Sequence, residues 1–106
     1  MTPERAPVPV VCSLEGAALG ERAEEWRALV AASVTAVEAG ATTVRLVLRD
    51  SDAALTAAVA LAQREKRCCA FFDVSIALEA DRRTLVLAVP DGAEEVLAAF
   101  VALLSA

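Results

Sequence analysis

The sequence predicts an α+β fold: a two-layer sandwich in the order β-α-β-α-β-β-α, with a four-stranded mixed sheet and helices mainly on one face. Three observations carry this prediction. Apolar residues alternate with period two in four short segments, they recur with a period near 3.6 in three longer ones, and Gly, Pro and Asp punctuate the boundaries. At 106 residues the chain has the size of one domain with one core. Hydrophobic residues make up 58% while aromatics are only 4%. Much of the apolar content is alanine, which favours helices that approach one another closely.

Residues 1–7, with Pro3 and Pro7, read as a flexible lead-in to a single domain over 8–106. Val8, Val10, Cys12 and Leu14 alternate with Pro9, Val11 and Ser13, which predicts a first strand with Cys12 on its apolar face. Pro9 places that strand at an edge or gives it an irregular start. From Leu19 to about Ala39 the period is helical, with Leu19, Ala23, Trp26, Leu29, Val30 and Val37 on one stripe and Gly40 as its stop. Val44, Leu46 and Leu48 mark a second strand, and Asp50 or Ser51 caps a second helix carrying Leu55, Ala58, Val59, Ala62 and Cys69. A right-handed crossover through the first helix makes the first two strands parallel. Asp73 to Glu79 and Thr84 to Val89 pair as a hairpin across Ala80-Asp81-Arg82-Arg83. After Pro90-Asp91-Gly92, a closing helix presents Val96, Leu97, Phe100, Val101 and Leu104. Its long apolar run predicts a homodimer.

Charge and composition exclude several classes of function. The net charge is −5 and no run of Lys and Arg can follow a phosphate backbone, so direct binding to nucleic acid is not expected. No segment has the eighteen or so consecutive apolar residues of a membrane span, and the N-terminus lacks a signal-peptide core; the expected location is the cytoplasm. In that reducing compartment the three cysteines read as thiols, metal ligands or redox groups rather than a structural framework.

The chemistry in the chain concentrates at Glu65-Lys66-Arg67-Cys68-Cys69-Ala70-Phe71-Phe72. With Leu55 as origin on the second helix, Ala58, Ala62 and Cys69 fall within about 60° on one side, with Glu65 just beyond them. A carboxylate therefore lies on the buried stripe, where it needs a cation or donors. Arg22, within about 40° of Trp26 on the first helix, is the matching cation. Cys12, Cys68 and Cys69 are candidate ligands for a soft ion such as Hg(II), Cu(I) or As(III), with Glu65 and Arg22 behind them and Phe71 and Phe72 as a dry wall. The chain has no His, so zinc would have only Glu65 or water as a fourth ligand. Other readings of the same residues are core cysteines beside a structural ion pair, a cysteine-dependent redox or hydrolytic enzyme with Glu65 as base, and a non-catalytic dimerising module.

The Glu-x-x-Cys-Cys-x-Phe-Phe run, with the hairpin and the Pro-x-Gly-Ala-led helix that follow it, resembles a small actinobacterial domain of unknown function. Cys12-Ser13-Leu14, Arg22 and Glu25-Trp26 extend the likeness over nearly the whole domain. That domain is found alone and also C-terminal to the DNA-binding part of some regulators of the mercury-resistance (MerR) type. The resemblance implies a module responsive to heavy metals or small molecules. This sequence lacks a helix-turn-helix segment, so in a regulatory setting DNA binding would be supplied by another polypeptide.

Overall fold

Helix-forming residues give way to Val34-Thr35-Ala36-Val37 after Ser33, and the β-branched side chains end the first helix there. The computed structural model describes residues 16–105, in the order α1 (Gly16–Ser33), β1 (Val34–Ala39), β2 (Thr43–Leu48), α2 (Asp52–Cys68), β3 (Asp73–Leu78), β4 (Arg83–Ala88) and α3 (Glu94–Leu104). The helix expected to run to Ala39 thus stops at Ser33 and continues directly as a strand. Gly40 opens a hairpin instead of stopping a helix, donating its N–H to the Thr43 carbonyl at 2.7 Å. The strand expected over Val8–Leu14 lies outside the described residues.

The four described strands form one sheet in the order β1-β2-β4-β3, and every neighbouring pair is antiparallel. The expected mixed sheet is therefore corrected to an antiparallel one. The physical reason is the short Gly40-Ala41-Thr42 link, which can join only antiparallel strands. Thr35 is the extra residue of a bulge in β1, and its hydroxyl donates to the Val47 carbonyl at 3.3 Å. The expected β3–β4 hairpin is present, with Val74 opposite Leu87 and Ile76 opposite Leu85.

Alternation sends Val44, Leu46 and Leu48 of β2 and Leu85 and Leu87 of β4 to one face, where all are buried. They meet Trp26 and Leu29 of α1, Ala58, Leu61 and Ala62 of α2, and Leu97, Phe100 and Leu104 of α3 in one apolar cluster. On α2 the alanines at 54, 58 and 62 form the buried stripe. Their small side chains let the helix backbone lie close to its neighbours. Trp26 and Phe100 pack edge to face, with centroids 5.2 Å apart and planes at 85°, and so couple α1 to α3.

Ser51 caps α2 by accepting the Ala54 N–H at 3.1 Å. Gly92, with φ of 95°, makes the turn into α3. Among the described residues strand β3 is an edge of the sheet, and its apolar row is incompletely covered: Leu78 is 66% exposed and Ile76 37%. Among the described residues no helix is long and apolar enough to cross a membrane.

Replacing Ser51 with Ala removes the side-chain cap of α2 and is expected to lower stability by about 1 kcal/mol. Ser51→Asp should retain most of that stability. Urea denaturation followed by circular dichroism compares the two.

Candidate functional site

The site forms where α2 ends. Cys69 leaves the helix and donates its N–H to the Glu65 carbonyl at 2.7 Å, while Lys66 caps the turn by donating Nζ–H to the Ala70 carbonyl at 2.6 Å. The chain then turns through Phe71 and Phe72 into β3. The two rings stack with centroids 4.8 Å apart, and Phe72 also packs against Phe100 at 5.4 Å.

One turn before the helix end, the Glu65 carboxylate is buried and both of its oxygens accept hydrogen bonds. Arg22 donates Nη1–H to Oε2 at 2.9 Å, and Trp26 donates its indole N–H to Oε1 at 3.1 Å. Arg22 and Trp26 are four apart on α1 and share a face, so one acid receives both donors. The expected pairing of Glu65 with Arg22 is thus present. The indole as second donor was not anticipated from the sequence, although a buried Trp needs an acceptor for its N–H. With both oxygens engaged, Glu65 is poorly placed to act as a base toward a thiol.

The remaining Arg22 nitrogens define the rest of the polar cluster. Nη2 donates to the Cys68 sulfur at 3.7 Å. Nε is buried without a hydrogen-bond partner among the described residues, and it forms an ion pair at 3.7 Å with Glu25, which Arg64 also holds. Burial acts to lower the Arg22 pKa, but the bond to Cys68 and the Glu65 charge outweigh it, and the guanidinium is held above its ordinary value.

Cys68, the last residue of α2, is half-buried and its thiol is free. Cys69 is buried and disulfide-bonded. The two adjacent cysteines are therefore not bridged to each other. As a disulfide sulfur Cys69 offers no thiolate to a metal, so a ligand role for it requires the reduced protein. Cys12 lies outside the described residues. Among the described residues no group of three or more Cys, Asp and Glu stands together as a metal site.

Beside this cluster lies a cavity of about 170 Å³. Arg22, Glu65, Cys69, Phe71 and Phe72 all border it, so five of the predicted site residues share one space; Cys68 sits next to it, joined through Arg22. Trp26 and Phe100 complete the aromatic wall. Leu19 of α1 and Val96 and Leu103 of α3 stand exposed around its mouth. The α3 wall was not assigned to the site from sequence, because an amphipathic closing helix gives no sign of leaving space beneath it.

Removing one member of the buried pair leaves a charge without its counterion. Glu65→Ala is expected to cost about 3–5 kcal/mol in stability. Trp26→Phe, which removes one hydrogen bond to a charged acceptor, is expected to cost about 1.5–3 kcal/mol. The double replacement Arg22→Met/Glu65→Met should be far milder than Glu65→Ala, because no buried charge is stranded. Equilibrium urea unfolding orders the three.

Comparison of the chain with protein-family models, with curated proteins and with solved structures gives no match.

Proposed function

We propose that this domain binds a small, thiol-reactive ligand carrying a soft centre and an apolar substituent, and that it serves as a sensing or binding module for such molecules. The observation that carries the reading is the apolar cavity bordered by Cys69, with the sulfur of its neighbour Cys68 on the same arginine that lines the cavity. An apolar cavity of roughly 150 Å³ accepts one benzene ring. At about 170 Å³ this cavity suits a phenyl-sized group. The ring would lie among Trp26, Phe71, Phe72 and Phe100, and a soft centre such as Hg(II), Cu(I) or As(III) would bond to cysteine sulfur at the cavity edge. Glu65 and Arg22 hold the wall in place. Cys12 is the third sulfur in this reading. Bonding through Cys69 follows reduction of its disulfide, so the reduced protein is the binding form.

The exposed Leu19, Val96 and Leu103 favour a second reading in which a second copy of the chain covers the cavity mouth, giving a homodimer. Concentration-dependent sedimentation that Val96→Glu abolishes would support it. A monomer throughout the accessible range would dismiss it.

The ligand reading is tested with phenylarsine oxide and arsenite on the fully reduced protein, using intact mass and tryptophan fluorescence. Burying the phenyl ring is worth about 1.5–3 kcal/mol, so phenylarsine oxide should bind roughly ten- to a hundred-fold more tightly than arsenite. Cys69→Ser should abolish the difference, and Ala99→Leu, an enlargement at an α3 residue that borders the cavity, should reduce it. Equal binding of the two arsenicals, or full retention of affinity in Cys69→Ser, would overturn the proposal.

A further inference from the structure

Among the described residues the disulfide-bonded cysteine is Cys69, and its neighbour Cys68 carries a free thiol with its sulfur on Arg22. The chain has three cysteines, so the partner that it can itself supply to Cys69 is Cys12. Cys69 is only 5% exposed and borders the apolar cavity. A buried sulfur is hard for a second molecule to reach, whereas a partner on the same chain acts at the high effective concentration of a short tether.

The tether is short. Cys12 precedes Gly16, the first residue of α1, by four residues, and four extended residues span at most about 14 Å. Leu19, one turn into α1, borders the same cavity as Cys69. That space, of about 170 Å³, is matched to one benzene ring, so a segment leaving the start of α1 crosses little more than its width to reach Cys69. A disulfide then requires Cα atoms about 5.5–6 Å apart, which lies within this reach. In the alternating pattern Val8, Val10 and Leu14 share a row with Cys12, so whatever holds Cys12 brings an apolar row to an apolar wall.

We infer that a Cys12–Cys69 disulfide straps residues 8–14 across the Cys69 margin of the cavity, and that the site is thereby under redox control. A dithiol releases the strap. One of its thiolates attacks a sulfur of the Cys12–Cys69 bond, which breaks with its electron pair going to the departing cysteine sulfur; the second thiol of the reagent then displaces the other cysteine from the mixed disulfide. The reagent is oxidised to its cyclic disulfide, and Cys12 and Cys69 are reduced and take up its two protons. Reduction supplies the cavity with a pair of thiols, Cys69 at its border and Cys12 on the freed segment, that one soft centre can bridge. The consequence for ligand uptake rests on the soft-ligand reading; the bond and the strap do not.

The test uses the full chain purified without reductant. Free thiol is alkylated in denaturant, and trypsin, which cuts after Arg5, Arg22, Arg67 and Arg82, should yield residues 6–22 joined to residues 68–82 with the alkyl group on Cys68. Quenching of Trp26, the single tryptophan and a cavity residue, by succinimide then reads access to the site. Its bimolecular rate constant, taken from fluorescence lifetimes, should rise on addition of dithiothreitol, and Cys12→Ser should show the raised value with or without dithiothreitol. Val8→Asp/Val10→Asp keeps both cysteines and should raise quenching in the absence of reductant while the peptide link persists. Far-UV circular dichroism should stay unchanged throughout. The inference is overturned if Cys69 is joined to Cys68, to a second chain or to a small thiol, if reduction leaves the quenching constant where it was, or if quenching rises only with loss of the helical signal. Neither measurement involves an arsenical, so these outcomes and the phenylarsine oxide comparison on reduced protein fail independently.

Discussion

The arrangement of the three helices depends on a single buried carboxylate. Glu65 lies on the inward stripe of α2, where an unpaired charge would be prohibitive, and it is admitted because α1 supplies two donors from one face. The guanidinium and the indole fix both the rotation of α1 about its axis and its height relative to α2. Trp26 then carries that constraint onward through its edge-to-face contact with Phe100 of α3. An ion pair replaced by aliphatic side chains could be as stable, but it would not define position in the same way. The directional bonds to Oε1 and Oε2 provide the register that alanine-rich helix surfaces lack.

The cavity follows from this geometry. Alanines 54, 58 and 62 let α2 settle closely on the sheet, whereas at its end the large Phe71, Phe72 and Phe100 rings meet one another and cannot fill the space evenly. The gap remains between the polar cluster and α3. Its walls are apolar, and its one strongly polar flank is already internally neutralised, which suits an uncharged organic group better than a hydrated ion. Cys69, disulfide-bonded and buried, borders this wall. Cys68 is different: it does not border the cavity, and its sulfur accepts the Nη2–H of Arg22.

How far the sequence made this legible differs between elements. The hairpin of β3 and β4, the Ser51 cap and the helix from Glu94 were all readable, because alternation, a capping residue and a Pro-x-Gly turn are local signals. The pairing of Arg22 with Glu65 was also readable, since helical phase placed both on buried stripes and electrostatics required them to meet. The division between α1 and β1 was not. Val34 and Val37 fit a continued helical stripe as well as they fit a strand, and only hydrogen bonding to β2 decides between them. The expectation of a mixed sheet came from a crossover between the Val8–Leu14 segment and β2, and the misplaced boundary hid β1, the strand that pairs with β2 antiparallel across a hairpin. The state of Cys69 could not be read either: the sequence shows which sulfurs exist, and the redox context determines how they are joined.

Strand β3 has a consequence for the behaviour of the molecule in solution. Among the described residues its outer edge has no strand partner, and Ile76 and Leu78 stand exposed beside it, a combination on which another extended chain can grow. The exposed acids Asp73 and Glu79 flank this strip, and repulsion between like charges separates such edges. The net charge of −5 adds a general repulsion between copies that weakens as the pH approaches the sequence pI of about 4.6, while the apolar strip is unchanged. The excess of negative charge thus serves as the colloidal guard of an apolar edge.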